Sequence, residues 1–267
     1  MNTYQKELET ALKLSRKAAK IMLTNFRVES TTWKKDFSPV TNADLAINDL
    51  VLKTIAKEYP EDSVLAEEGS NLFESKRMWI CDPIDGTFPF AHHYPISCFN
   101  LALLVDHEIV LSVVCDPFQK RTYHAVKGKG AFLNGKKYTI NSDEIQNAFQ
   151  GIAIDIWGGV ENSVFSDIKI EGKIFQEFNV FKQVNLTLGS VAYAGMLVSQ
   201  GYLKVVVFSG KNQWDTAAIS LLISEAGGVA SDLKGKKLDY SKQTLGFVGG
   251  NANWHKKTLS MVKKYLD

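Results

Sequence analysis

The feature that most constrains this chain is Asp82-Pro83-Ile84-Asp85-Gly86-Thr87, delivered by the apolar run Met78-Trp79-Ile80-Cys81. It sets two carboxylates three residues apart at the end of a buried strand, then a glycine and a hydroxyl. Two close carboxylates repel strongly where the dielectric is low. A cation between them relieves the repulsion, and hard divalent cations take oxygen ligands. Glycine lets the backbone approach a ligand, and successive amides can face an anion. The hexapeptide therefore reads as a metal-and-phosphate site, and the fold must carry it on a rigid strand end.

A chain of 267 residues with 45% hydrophobic and 22% charged residues has the balance of a soluble globular protein with a sizeable core. Its net charge of +2 gives no reason to expect nucleic acid or an acidic membrane surface as a partner. No run approaches the ~20 apolar residues of a membrane span. The N-terminal stretch has no apolar h-region, and Glu7 and Glu9 interrupt its basic residues, so neither a secretory signal nor a transit peptide is expected. Cys81, Cys98 and Cys115 lie in apolar runs with no zinc spacing, which predicts buried thiols in a reducing, cytoplasmic compartment. Only Cys81, beside Asp82, invites thought of a catalytic thiol, and burial is the stronger reading.

Periodicity predicts a helix over 1–27, with Leu8, Leu12, Ala18, Ala19, Met22 and Phe26 on its buried side. A second helix starts near Thr41-Asn42, buries Ile47, Val51 and Ile55, and ends before Pro60. Strands follow at 63–66, 78–81, 96–105, 108–115 and 120–126, with Asp106-His107 as a hairpin turn. Gly128-Lys129-Gly130 lacks the third glycine of a dinucleotide fingerprint and reads as a turn. From about 145 the pattern alternates: strands at 152–156, 203–208 and 245–248, helices after Gly189, over 214–226, and from Asn251 to near Leu266. The expected organisation is an α+β lobe over 1–144, with an antiparallel sheet and most of the metal-binding carboxylates, and an α/β lobe over 145–267 that supplies Asp215 and substrate contacts.

Further carboxylates sit where sites gather, at strand ends and helix starts. Glu67 and Glu68 follow the strand at 63–66, Asp44 is in the first turn of the second helix, and Asp215 opens a later one. Alone, Asp44 or Asp215 reads as a helix-dipole partner and Glu67-Glu68 as a solvated turn; the combination points to a metal site. An aspartyl-phosphate phosphatase requires Asp-x-Asp-Gly-Thr, and Pro83 occupies the nucleophile's position, so a covalent phospho-enzyme is excluded.

Glu67-Glu68, the hexapeptide and Trp214-Asp215-Thr216-Ala217-Ala218, in this order and at these separations, resemble the inositol monophosphatase family, related to the fructose-1,6-bisphosphatase-like, lithium-sensitive phosphatases. The likeness spans nearly the whole chain. It includes Ser38-Pro39-Val40-Thr41-Asn42-Ala43-Asp44, the segment 128–135 and Glu225-Ala226-Gly227-Gly228. The resemblance implies a layered αβαβα sandwich with two lobes around one cleft, two or three Mg²⁺ per subunit, and a homodimer. It implies that Glu67, Asp82 and the carbonyl of Ile84 hold one ion, and Asp82, Asp85 and Asp215 a second. Thr87, supported by Asp44, and Glu67 would orient and deprotonate the attacking water. The amides of Gly86 and Thr87 would hold the phosphate of a small metabolite, and Gly189, Ser190 and Phe208 would border the substrate. Glu68 reads equally as a supporting or a surface carboxylate.

The pattern departs from the family in three places. Phe88-Pro89-Phe90 stands where Thr-Asn-Phe is usual, narrowing the loop and removing an amide donor at Pro89. Leu186-Thr187-Leu188 lacks an arginine usual there. Phe208 occupies the place of a glutamate that holds sugar hydroxyls in inositol-preferring members, which argues against myo-inositol monophosphate as the best substrate. The ring could stack on a base or simply close the core. His92 and His93 are adjacent, and chain neighbours rarely face one ion, so neither is assigned to metal. Other activities compatible with this frame are a 3′(2′),5′-bisphosphate nucleotidase, a fructose-1,6-bisphosphatase and a histidinol phosphatase. A non-catalytic binding protein that kept the fold would have lost a ligand, and none is lost.

Overall fold

A computed structural model describes residues 4–28, 31–34, 39–140, 151–156, 161–167, 169–179 and 184–266. The expected lobe boundary at 144/145 and Ser38 of the motif lie outside these. The first helix, α1 (Gln5–Asn25), buries Ala11, Leu14, Ala18 and Met22. The short strands β1 (Thr32–Trp33) and β2 (Pro39–Val40) pair antiparallel and lead into α2 (Asn42–Glu58). Thr41 caps α2 through a capping box: its hydroxyl accepts from the Asp44 amide, and the Asp44 carboxylate accepts from the Thr41 amide at 2.8 Å.

A seven-stranded sheet follows: β3 (Ser63–Ala66), β4 (Arg77–Asp85), β5 (Cys98–Val105), β6 (Glu108–Asp116), β7 (Arg121–Val126), β8 (Gly130–Leu133) and β9 (Lys136–Tyr138), adjacent in chain order. β3 runs parallel to β4 and every later pair is antiparallel. The hexapeptide was expected after a strand ending at Cys81. Instead β4 runs on to Asp85, and a five-residue helix, α3 (Thr87–Ala91), begins directly after Gly86. Pro89 falls in the first turn of α3, where its missing amide hydrogen costs no helical bond.

The second sheet has the order β11-β10-β12-β14-β13, from β10 (Gly151–Asp155), β11 (Val184–Leu186), β12 (Leu203–Phe208), β13 (Val229–Ser231) and β14 (Phe247–Gly250). β10 runs parallel to β11 and β12, and β14 is antiparallel to both its neighbours. Its helices are α4 (Ile170–Asn179), α5 (Val191–Ser199), α6 (Gln213–Glu225) and α7 (Ala252–Val262). Sequence periodicity missed β1, β2, α3, β8, β9, β11 and β13, whose two to five residues are too few to establish a period, and also the 10-residue helix α4.

Strand alternation sorts the core into three bands and the chain into five layers. Trp79 and Cys81 of β4 face α1 and α2, together with Phe99, Leu101, Leu103 and Val113. Ile80, Ala102 and Val114 face the other way, onto α5 and α6. Ala153, Val206 and Phe247 of the second sheet close on those same two helices. Beyond it, Ile152, Ile154, Val205 and Val207 pack on α4 and α7 through Ile174, Phe178 and Met261. The order is αβαβα, as the resemblance implied. No described helix is long and apolar enough to cross a membrane.

The central layer depends on close approach of α5 and α6. A Cβ on Gly195 would lie 2.7 Å from Ile219 Cβ and Cγ2. Gly195→Val should therefore overpack this contact and lower unfolding free energy by about 1–3 kcal/mol, read as a reduced urea midpoint at unchanged m-value. An unaltered midpoint would contradict this packing.

Candidate active site

β4 and β5 fall out of step between Asp82 and Asp85: Asp82 pairs with Asn100, and Asp85 with Cys98. Three steps along β4 thus match two along β5, a bulge of one extra residue. Pro83 sits inside it, where no ladder hydrogen bond is demanded of it. In a regular strand two residues at odd separation point to opposite faces. Here the extra residue turns Ile84 into the α1–α2 core. Asp85 is left reaching the α5 start, where it accepts from the Ser190 hydroxyl, a contact of short length, and from the Ala192 amide at 3.2 Å.

Asp215 arrives from the first turn of α6. The carboxylates of Asp82, Asp85 and Asp215 come within 4.8 Å of one another, a grouping that could hold a metal ion. Asp82 Oδ1 is buried with no hydrogen-bond partner. Such a group is costly unless something absent from the chain satisfies it. Burial, then the charge of Glu67, then Asp85 and Asp215 push the Asp82 carboxyl well above its ordinary range. Burial raises Asp85 to about 7, opposed by Ser190 and Ala192 and reinforced by Asp155 and Glu67. Asp215 is raised by burial and then by Asp85, Glu67 and Asp155, against a hydrogen bond from the Asn212 side chain. An oxygen-only, acidic, partly unsatisfied set of this kind fits Mg²⁺.

Thr87 is the first residue of α3, and its hydroxyl lies 3.0 Å from the Ile84 carbonyl and 3.3 Å from Asp44 Oδ1. Gly86 before it adopts φ +83°, and a Cβ there would meet Ser190 Cβ at 2.8 Å. Glycine is required on both counts. Asp44 is fully buried beneath Thr87. Glu67 lines the cleft, and its carboxylate accepts from Lys34 Nζ at 2.9 Å. Glu68 pairs with the same ammonium. It does not line the cleft, which suits a supporting carboxylate.

A cleft of about 490 Å³ joins these residues. Glu67, Asp82, Ile84, Asp85, Gly86, Thr87, Gly189, Ser190, Phe208 and Asp215, all expected from sequence, line it. Sequence reasoning missed Asp155, Glu161, Asn162 and Asn212, which also line it. Asp155 had a signal: it is a carboxylate at the carboxyl end of a strand in an alternating α/β half, where open parallel sheets bind ligands. His92 is held away from the carboxylates. Its Nδ1 lies 2.9 Å from the Phe88 carbonyl, and its ring stacks on Phe88 at 4.1 Å. The three thiols are free and buried, and burial raises the Cys81 pKa further from reactivity.

Cleft, bulge and acidic triad describe a hydrolase of phosphate esters carried on a five-layered fold. The profile of the inositol monophosphatase family matches residues 3–267. An inositol monophosphatase of Dictyostelium discoideum is 32% identical, covering 94% of this chain and 93% of its own. A fructose-1,6-bisphosphatase/inositol-1-monophosphatase of Thermotoga maritima is 30% identical over 97% of both. The solved structure of a Thermotoga maritima IMPase superposes with a TM-score of 0.83 at 28% identity, covering 98% of each chain. The chain belongs to the inositol monophosphatase family and is a phosphoric monoester hydrolase.

Asp44 has a consequence for pH. Burial first, then Glu67 and Glu68, raises its carboxyl to about 7 against hydrogen bonds from Thr41. An unfolded aspartate titrates near ~3.9. Between those values the folded chain holds a proton that the unfolded chain has released. The stabilising contribution is complete below the unfolded value and is lost as pH rises through about 7. Thermal melts of metal-free protein should show a midpoint that falls between mildly acidic and mildly alkaline pH. In Asp44→Asn, which keeps a capping oxygen, that fall should be shallower; an identical slope would rule the assignment out.

Proposed function

We propose that this hydrolase is a Mg²⁺-dependent phosphomonoesterase that removes phosphate from a small phosphorylated metabolite by direct in-line attack of water. The observation that carries the reading is the convergence of Asp82, Asp85 and Asp215 on one side of a bulged strand, with an unsatisfied carboxylate oxygen among them. Glu67, Asp82 and the Ile84 carbonyl would hold one ion and Asp82, Asp85 and Asp215 a second, with two or three ions per subunit. When bound, Mg²⁺ supplies a Lewis acid that acidifies water and offsets charge on the phosphoryl and leaving oxygens.

The chain's own groups do the rest. The Thr87 hydroxyl accepts a hydrogen bond from the attacking water while its own proton points to Asp44 Oδ1. Glu67 takes the water's proton at its carboxylate, and Lys34, beside it, steadies the charge. The amides of Gly86 and Thr87 bind the phosphate where the chain turns into α3. Gly189 and Ser190 border the ester, and Phe208 limits the far side. In this reading residues 1–144 supply the water-activating groups and most of the metal-binding carboxylates, and 145–267 supply Asp215 and the substrate wall. Lithium inhibition and a symmetric homodimer rest on the family resemblance; a cytoplasmic location rests on three free thiols.

Phosphate release from a panel of monoesters, measured with malachite green, should require Mg²⁺, stop with chelator and fall with Li⁺. Asp85→Asn should abolish turnover and weaken Mg²⁺ binding by calorimetry while leaving the melting transition cooperative. A wild-type protein that binds no Mg²⁺ would overturn the reading.

A further inference from the structure

Beneath the cleft, the first sheet buries a polar residue that the site described above does not use. Asn100 of β5 is buried and is the register partner of Asp82 on β4. Partners on one rung of an antiparallel ladder project from the same face, with Cβ atoms roughly 4.5–5.5 Å apart. That face is the one turned to α5 and α6. Ile80, two residues before Asp82, and Cys98 and Ala102, two residues either side of Asn100, all belong to the core that packs on those helices. Asn100 therefore stands beside Asp82 under the central layer.

The side-chain amide of Asn100 is half committed. Its Oδ1 accepts from the Cys98 thiol at 3.8 Å, and Cys98 Sγ lies 4.0 Å from Ser190 Oγ, which donates to Asp85. Its Nδ2 is buried without a partner, and across the rung Asp82 Oδ1 is buried without one too. Buried polar groups are costly to leave unpaired, donor and acceptor alike. One rung thus holds an orphaned donor on one strand and an orphaned acceptor on the other. Asp116 Oδ2 is another orphaned acceptor of this sheet. It sits on β6 two residues beyond Val114, the β6 partner of Asn100. Such a diagonal spans roughly 7–8 Å, and Asp116 already accepts from the Phe118 and Gln119 amides through Oδ1. By register, Asp82 is the nearer acceptor.

Building on the Mg²⁺ reading above, we infer that Asn100 is a positioning residue for the metal site, its Nδ2 donating to Asp82 Oδ1 when Asp82 holds the ion. An ionised carboxylate is an acceptor only, and with about four lone-pair sites it has room for an ion and an amide. Carboxylates that bind metal are in turn hydrogen-bonded, which fixes their orientation. Asn100 does this from beneath the site; it does not line the cleft and touches no substrate. Through Cys98 and Ser190 it also adjoins Asp85, so one side chain backs both carboxylates of the hexapeptide.

The test uses full-length protein with Mg²⁺ itself as the probe. Asn100→Leu keeps the side chain's size and removes the donor. Calorimetry should show Mg²⁺ affinity falling roughly tenfold to a hundredfold, the usual effect of losing such a partner. The Mg²⁺ concentration for half-maximal hydrolysis of p-nitrophenyl phosphate should rise by the same factor. The urea midpoint of the metal-free variant should hold or rise, because an unpaired buried donor gives way to an apolar group of similar shape. A residue that only fills the core gives the opposite pattern, a lower metal-free midpoint with Mg²⁺ affinity unchanged, and that result would overturn the inference. A second readout needs no variant and stands even if the substitution fails to fold. In ¹⁵N-labelled wild-type protein the Asn100 side-chain amide, assigned through its own carbons, should exchange with solvent more slowly once Mg²⁺ is bound; exchange unaltered by saturating Mg²⁺ would also overturn it. Wild-type protein that binds no Mg²⁺ would sink this inference and the phosphatase reading together. Binding that is undiminished in a folded Asn100→Leu protein sinks the inference alone.

Discussion

Mutual repulsion among buried carboxylates organises this molecule. Asp82, Asp85 and Asp215 come from two elements in different layers, and each is pushed toward its protonated form first by burial and then by neighbouring carboxylates, Glu67 among them in all three cases. Arg77, by contrast, is an ion satisfied by carboxylates of the chain itself, Glu7 and Asp62. The triad is not, and Asp82 keeps an oxygen with no partner. The fold meets this locally with helix starts. Asp85 accepts from the Ala192 amide and from the Ser190 cap of α5, and Asp215 lies in the first turn of α6. Both exploit the positive end of a helix. What those dipoles leave uncompensated is the affinity available to a cation.

The one-residue bulge in β4 converts sequence into site. Without it Asp82 and Asp85 would lie on opposite faces of the sheet, one in the α1–α2 core. Proline at the bulge and glycine after it are consistent choices: one gives up a hydrogen bond the bulge has already broken, the other admits Ser190 from the facing layer. The capping box of α2 serves two purposes in the same economical way. The Asp44 carboxylate accepts from the Thr41 amide through one oxygen and from the Thr87 hydroxyl through the other.

Much of this was legible in the sequence, because long periodic elements and short acidic motifs carry their own signals. The strand at Leu203–Phe208 was read residue for residue, and α1, α2 and α6 within a few residues of their ends. The carboxylates lining the cleft near the hexapeptide were all anticipated. The hexapeptide's own conformation was not, since a bulge is defined by the partner strand's register and Asn100 and Cys98 carry no mark of it. The second-sheet side of the cleft was half read: Phe208 was noticed by its departure from the family pattern, whereas Asp155, which carried the weaker signal of a carboxylate at a strand end, was passed over and is set beside Phe208 only by the pairing of β10 with β12.

The triad also bears on how the protein comes to be folded. Asp82 and Asp85 belong to a sheet of neighbouring strands joined in chain order, which can zip from local contacts. Asp215 belongs to a helix far along the chain that packs between the first and second sheets. Asp82 and Asp85 share one strand end wherever the first sheet has formed, but their third carboxylate joins them only when the central helical layer is seated between the sheets, so the grouping of three is a local sign that this layer is in place.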